Sequence, residues 1–332
     1  MDAGTAGEVL LVPDCGPGTG LGHLERLLAV ADALRETAAH CTVAVPHGDA
    51  ALRQRVAARG HAPVEMPGDV ADRAVAACSE VSPDAVVLDA YGVPVAVHSA
   101  LRRQCSLVVV DDLQGDCDCD LAVNPSPGGE AMRPRGAATF LGGARYSPLS
   151  SAYLEARAQR DERGAEARTV LLSTGATALG GLGAQLAREL LRCDAGVRVL
   201  AVAGPEVDTA ALPVDPRVEL LEMPATLGPS LARATVYAGA AGQTSLQAAC
   251  VGVPAVLVAA VDNQQAQARA LEAAGCAMRA TADGAAAAAV ALLDDSDRLA
   301  AMARCGRELI DGRGAERVAE AVLALVAGRA RA

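Results

Sequence analysis

The stretch Glu8-Val-Leu-Leu-Val-Pro-Asp-Cys-Gly-Pro-Gly-Thr-Gly-Leu-Gly-His-Leu-Glu-Arg26 decides how this chain is read. Glu8–Asp14 reads as a buried strand, and it runs into a turn with glycine at 16, 18, 20 and 22. From His23 to Arg35 the apolar residues Leu24, Leu27, Leu28, Ala31 and Leu34 recur at helical spacing. Strand, glycine turn and helix together open a parallel βαβ unit. The glycines permit positive φ and let a ligand come close to the backbone. The helix start just beyond them has free amides for a phosphate or a developing negative charge. The spacing is neither G-x-G-x-x-G nor a P-loop, since no Gly-Lys-Ser/Thr follows. On the glycines alone, a tight turn with no ligand fits equally well.

The same plan extends along the chain. Further strands are expected at Cys41–Pro46, Ala85–Ala90, Ser106–Asp112, Leu121–Pro125 and Thr139–Gly143, with helices in most of the gaps. Residues 151–168 contain the charged, helix-favouring text EARAQRDERGAEAR, which has little apolar surface of its own and reads as a linker. A second series starts at Thr169–Ser173, passes a glycine-rich turn from Thr174 to Gly183, and enters a helix around Gln185–Leu191. Strands follow at Val197–Ala203, Val218–Met223, Thr235–Ala240 and Ala255–Ala260. The expected fold is α/β, with Rossmann-like, doubly wound domains at 1–150 and 169–332 facing a central cleft. The apolar helix at Arg317–Ala327 is expected to pack on a domain surface, including that of the first domain. Ligands should bind at the carboxyl ends of the strands.

Composition narrows the classes. A length of 332 residues accommodates two cores. Hydrophobic residues make up 52% of the chain but aromatic residues only 2%, with Phe140 alone of its kind and no Trp, so Ala, Val and Leu must build those cores. A net charge of -11 argues against a nucleic-acid partner, though not against a single nucleotide. No apolar run approaches about 18 residues, so membrane insertion is not expected. The first residues lack the basic start of a signal peptide. The ten cysteines never form CxxC and read as small, reduced, buried side chains, which suits a cytoplasmic protein. Cys117-Asp118-Cys119-Asp120 has no paired Cys/His set beside it, so no metal is expected there.

Several residues carry chemistry in this reading. His23 follows the first strand and opens the helix, where an imidazole suits a general base; His40, His47, His61 and His98 lack that context and read as surface residues. Asp89 and Tyr91 stand two apart at the carboxyl end of a second strand, placed to orient a sugar hydroxyl or a water. A helix cap and a packed tyrosine would account for them as well. Asp111-Asp112 and Asn124 end neighbouring strands, as paired acids or as turn caps. In the second half, Gly242, Gln243 and Thr244 open a helix after a small-residue turn, which makes a second anion site from amides and a hydroxyl. Asp262-Asn263-Gln264-Gln265 caps another helix, with amides in reach of a hydroxyl or phosphate.

Taken in order, these motifs resemble the GT-B superfamily. They are most similar to the UDP-2,4-diacetamido-2,4,6-trideoxy-β-L-altropyranose hydrolases of pseudaminic acid synthesis and their spore-coat polysaccharide relatives, more than to the related lipid-linked N-acetylglucosaminyltransferases. The resemblance rests on Gly20-x-Gly22-His23-x-x-Arg26, Asp89-x-Tyr91, Val110-Asp111-Asp112, Cys119-Asp120 before Asn124-Pro125, and Gly143-x-x-Tyr146-x-x-Leu149. It continues with Thr174-Gly175, Ala240-Ala-Gly242-x-Thr244, Gly252-Val-Pro254, Asn263-Gln264 and Asp311-Gly-x-Gly-Ala-x-Arg317.

The resemblance implies inverting cleavage of the anomeric C–O bond of a UDP-linked amino or deoxy sugar, with no cofactor besides this donor. His23 would be the base, Tyr91 its neighbour, and UDP the leaving group, held near Gly242–Thr244 with Asn263 close to phosphate or sugar. Three departures are visible. The family's ribose-gripping glutamate is Gln247, which loses the charge-assisted bonds a carboxylate gives to a diol. The usual GGSD turn is Gly175-Ala176-Thr177-Ala178. The basic-then-aromatic continuation after Tyr146 is also missing. Water as acceptor makes the chain a hydrolase; an organic acceptor makes it an inverting glycosyltransferase; loss of the acids would suit a silent nucleotide-sugar binder.

Overall fold

The computed structural model describes residues 7–16, 19–174, 181–203, 209–222, 224–259 and 262–329, with only the backbone at 262 and 263. It divides into two units, one of residues 1–150 with 313–332, the other of residues 151–312.

In the first unit the chain alternates β1 (Glu8–Pro13), α1 (Gly22–Glu36), β2 (His40–Pro46), α2 (Ala50–Ala58), β3 (Ala62–Met66), α3 (Val70–Val81), β4 (Ala85–Asp89), α4 (Val95–Gln104), β5 (Ser106–Val110), β6 (Cys119–Asn124) and β7 (Ala137–Gly142). The strands form one seven-stranded sheet ordered β3-β2-β1-β4-β5-β6-β7, with every pairing parallel. Parallel strands need crossovers, and crossovers place helices on both faces, so a central strand is apolar on both sides. β1 shows this directly: Val9 and Leu11 face Leu24, Leu27 and Leu28 of α1, while Leu10 and Val12 face Ala74 and Ala77 of α3.

The second unit begins with α5 (Ala152–Arg163), which packs on helices of its own unit. The charged segment is therefore an integral helix, with Tyr153 and Ala156 buried, and not a bare linker. Two inward residues were too few to stand out among its charges. Next come β8 (Thr169–Ser173), α6 (Leu182–Cys193), β9 (Arg198–Ala203), β10 (Val218–Glu222), α7 (Gly228–Arg233), β11 (Val236–Ala240), α8 (Gln243–Val251), β12 (Ala255–Val258), α9 (Asp262–Ala273), β13 (Ala277–Arg279), α10 (Ala285–Leu293) and α11 (Ser296–Leu309). The sheet order is β10-β9-β8-β11-β12-β13, again all parallel. Val170, Leu172, Val199 and Val256 pack against Leu186 and Leu190 of α6 and Ala289 of α10.

The chain then returns to the first unit. In α12 (Gly314–Arg329), Val318 and Val322 join the α1 face of the first core, and Arg329 caps the end of α4 through the Cys105 carbonyl at 2.7 Å. The second unit therefore stops at Gly312, short of the 169–332 span expected from sequence.

Two strands went unforeseen, β3 and β13. Both are edge strands; β3 carries Pro63 among half-buried residues and β13 is three residues long, so neither has the apolar run of a central strand.

One position tests the second sheet. Gly239 in β11 has φ +153°, and a Cβ there would overlap the Ser173 carbonyl of neighbouring β8. Gly239→Ala is expected to lower unfolding free energy by about 2–3 kcal/mol through backbone strain and overpacking. Urea denaturation checks this, and a wild-type midpoint would refute it.

Candidate functional site

In each sheet the strand order reverses once, between β1 and β4 in the first unit and between β8 and β11 in the second. At such a switch point adjacent crossovers leave on opposite faces, and a crevice opens beyond the carboxyl ends of the two strands. The residues singled out from sequence collect at these points.

In the first unit the organising group is the carboxylate of Asp89, the last residue of β4, which has no solvent exposure. Its Oδ1 lies 2.6 Å from His23 Nδ1 and 2.7 Å from Arg26 Nη2, and its Oδ2 accepts from Arg26 Nε at 2.9 Å. His23 and Arg26 are three apart in the first turn of α1, so one helix face presents both to the strand end. Arg26 also donates Nη1 to Asp112 Oδ2 at 2.8 Å, just beyond β5. One guanidinium thus joins β4 and β5 to α1 by a bidentate fork and a second carboxylate.

Burial pushes the Asp89 carboxyl up, but Arg26 and His23 outweigh it and hold it below the ordinary carboxylate range. Burial likewise works against the charge on Arg26, and Asp89 and Asp112 more than restore it. With Asp89 ionised, His23 Nδ1 is the donor to it, which turns Nε2 away from the carboxylate. Nε2 makes no hydrogen bond among the described residues. The Tyr91 ring stands edge-on to His23, with centroids 4.8 Å apart and planes at 82°. Burial and the nearby Asp112 carboxylate raise the Tyr91 phenol, which keeps it a neutral hydroxyl.

Gly20 and Gly22 flank Leu21, the residue before α1, and no side chain caps this helix start. A Cβ on either glycine would meet nothing within 4 Å, so their backbone borders open space. Asp111, in contrast, shapes the turn: its oxygens accept the Leu113 and Gly115 amides. Asn124 Oδ1 does the same for Ser126.

In the second unit, Thr174 is buried directly after β8, and Gly175 lies outside the described residues. Gly242 precedes α8 with no side-chain cap and open space at its Cα, and Gln243 and Thr244 form the first helical positions, half-buried. The turn is held from below. Tyr237 is wholly buried, its hydroxyl 3.0 Å from the Ser173 carbonyl and 2.8 Å from that of Ala240, which ties together the ends of β8 and β11. Gln267 on α9 donates to the Gly242 carbonyl at 2.8 Å and sits 2.9 Å from the Ser245 hydroxyl. Gln247 lies one turn into α8, 6% exposed, and its buried Oε1 has no hydrogen-bond partner among the described residues. Gln264 is half-buried in the first turn of α9; the side chain of Asn263 lies outside the description. A cavity of about 670 Å³ opens past the ends of β12 and β13, lined by Gln185, Gln265, Arg279 and Thr281.

Sequence reasoning left out Asp112 and Gln267 as working residues. Position after the apolar run Ser106–Val110 pointed to Asp112, but nothing local distinguishes it from Asp111; only the reach of Arg26 does. Two histidines read as surface residues are buried. His61 Nε2 lies 2.9 Å from Asp32, and His98 sits in α4 with neither ring nitrogen bonded. Among the described residues no group of three or more His, Cys, Asp and Glu is arranged to hold a metal. No helix described here is long and apolar enough to cross a membrane.

Two doubly wound parallel sheets with this order define the chain as a GT-B fold. Solved structures with that architecture superpose on nearly its full length. The spinosyn forosaminyltransferase SpnP aligns with a TM-score of 0.70 and 19% identity, covering 97% of this chain and 99% of that one. MurG of Acinetobacter baumannii aligns with a TM-score of 0.66 and 16% identity over 96% and 99% of the two chains. The glycosyltransferase SsfS6 of Streptomyces sp. SF2575, complexed with thymidine diphosphate, aligns with a TM-score of 0.66 and 18% identity over 95% and 99%. No protein-family model matches the chain, and neither does any curated protein sequence.

The Asp89 cluster has a pH signature. Its depressed pKa means that its stabilisation is fully present above the unfolded carboxylate value near ~3.9 and is lost as pH falls through the lower folded value. Asp89→Asn leaves the buried Arg26 with one carboxylate in place of two, and should cost about 3 kcal/mol at neutral pH. Unfolding free energy measured from neutral to acid pH should therefore fall less steeply below pH ~4 in the variant than in wild type. Parallel curves would remove Asp89 from this role.

Proposed function

We propose that this chain is an inverting glycosyltransferase that moves a sugar from a nucleoside diphosphate carrier to a hydroxyl of a small organic acceptor. The observation that carries the reading is the His23–Asp89 pair at the first switch point, with Nδ1 anchored at 2.6 Å and Nε2 unengaged. An ionised, fully buried carboxylate fixes the tautomer and stabilises the imidazolium that forms when Nε2 takes a proton. The acceptor oxygen then bonds to the anomeric carbon as the bond from that carbon to the diphosphate oxygen breaks, and a single displacement inverts the centre. The acceptor proton goes to His23, and the electron pair leaves with the nucleoside diphosphate.

The second unit carries the diphosphate in this reading. The helix start at Gly242–Thr244 and the Thr244 hydroxyl meet its charge at the head of α8. Thr174 stands at the same switch point, and Gln264 opens the neighbouring helix α9 on the side of phosphate or sugar. Gln247 faces the ribose hydroxyls, which give its unpartnered Oε1 the donor it lacks in the free protein. Fold similarity to glycosyltransferases, one of them complexed with thymidine diphosphate, supports transfer over hydrolysis and widens the donor beyond UDP. Tyr91 edge-on to His23 favours a second reading in which water is the acceptor and the chain is a hydrolase, as the resemblance to the pseudaminic-acid hydrolases implies.

Incubation with UDP-, dTDP- and CMP-sugars, with and without alcohol acceptors, separates the readings by nucleotide release. Release only with an acceptor is the expected result, and release with water alone makes the chain a hydrolase. His23→Ala should lower turnover by about 10²–10⁴-fold, the usual contribution of a general base, with nucleotide affinity retained. Turnover at the wild-type rate would defeat both readings. Gln247→Glu should tighten nucleoside diphosphate binding by roughly tenfold through charge-assisted bonds to the ribose diol. Calorimetry reads this, and an unchanged affinity would take Gln247 out of the ribose site.

A further inference from the structure

At the other edge of the second sheet, Thr235 and Pro254 stand immediately before β11 and β12, at the amino-terminal ends of the strands. They border a groove of about 520 Å³ whose walls are α5 and α11. Four guanidinium groups line it: Arg157 and Arg160 from α5, Arg304 and Arg307 from α11.

The two inner arginines are fixed in place by the fold. Arg160 Nη1 points at the last carbonyls of α7, 3.3 Å from that of Ala232 and closer still to that of Ala234. Among the described residues it has no carboxylate within ion-pair distance, and burial together with the neighbouring Arg307 cation pulls it down to about 10. Arg307 donates to the Val251 carbonyl at the end of α8, at 3.2 and 3.0 Å, and pairs with Asp161 at 2.8 Å. Its guanidinium lies where a Cβ on Gly252 would be, and Gly252 also needs φ +84° to close α8. This is the structural reason for glycine in the Gly252-Val-Pro254 motif. The two outer arginines are different: Arg157 and Arg304 have no hydrogen-bond or ion-pair partner among the described residues. The carboxylates nearby are Asp161, already paired with Arg307, and Glu308 on the groove wall. The cluster therefore holds two more cations than carboxylates, in a chain whose net charge is -11.

Like charges brought together on a partly buried wall repel one another, and a multivalent anion turns that repulsion into binding. We propose that this groove is a second ligand site, distinct from the nucleotide site and independent of the function proposed above, for a small multivalent oxyanion of the diphosphate class. Arg157 and Arg304 supply its free charge-assisted donors, while Arg160 and Arg307 form the fixed cationic floor.

Inorganic pyrophosphate is the probe. Calorimetric titration of the full chain, with a nucleoside diphosphate present at saturation, is expected to show saturable binding that weakens as salt rises. Arg157→Gln/Arg304→Gln removes two side chains that hold nothing else, so urea unfolding should stay unchanged while pyrophosphate affinity falls at least roughly tenfold. Glu308→Gln should tighten binding, because it removes the one carboxylate on the wall. Absence of binding, competition with the nucleoside diphosphate, wild-type affinity in the double variant, or weaker binding in Glu308→Gln would each overturn the site.

Discussion

A fully buried carboxylate is tolerable only when its charge is answered on every side. Asp89 meets that condition through a two-pronged guanidinium and an imidazole, both from one turn of α1, and the arrangement fixes more than a local contact. Because Arg26 continues to Asp112, the end of β4, the end of β5 and the start of α1 hold one geometry together. The imidazole is left with a set tautomer and one free nitrogen. The base proposed at His23 would thus be a by-product of satisfying a buried charge, which ties the stability of this corner to its proposed chemistry.

The second unit solves the corresponding problem without charge. Its switch point is held by neutral groups: the Tyr237 hydroxyl across the ends of β8 and β11, and the Gln267 amide beneath Gly242. The difference suits the ligand chemistry proposed for each unit. A base needs an anion behind it, whereas a diphosphate needs amides undisturbed by a nearby carboxylate. The arginine groove lies at the opposite strand ends of this sheet from the start of α8, so the two proposed anion sites would be separated by the length of its strands.

Much of this was legible in the order of residues alone. Central parallel strands are buried on both faces and so appear as unbroken apolar runs, and the helix between them repeats every three to four residues. Asp89, Tyr91 and Gly242 could be picked out because they stand at or just past the end of such a run, and His23 because it opens the helix after the glycine turn; strand order then carries them to a switch point. Edge strands β3 and β13 have no such run. The packing of α5 was hidden because only Tyr153 and Ala156 of its face turn inward, whereas the apolar repeat of α12 was legible and it joins the first core.

What the sequence by itself determined is the class of fold and the short list of residues at strand ends, since burial on two faces and the turn into a helix are local demands written into neighbouring positions. Only the tertiary structure decided which partners those residues take. Asp111 and Asp112 are adjacent and chemically identical, yet one shapes a turn and the other anchors Arg26. Arg157 and Arg160 lie far in sequence from Arg304 and Arg307, yet the two pairs share one groove. Pairing of charges depends on distances between elements, and those are set when the sheets assemble.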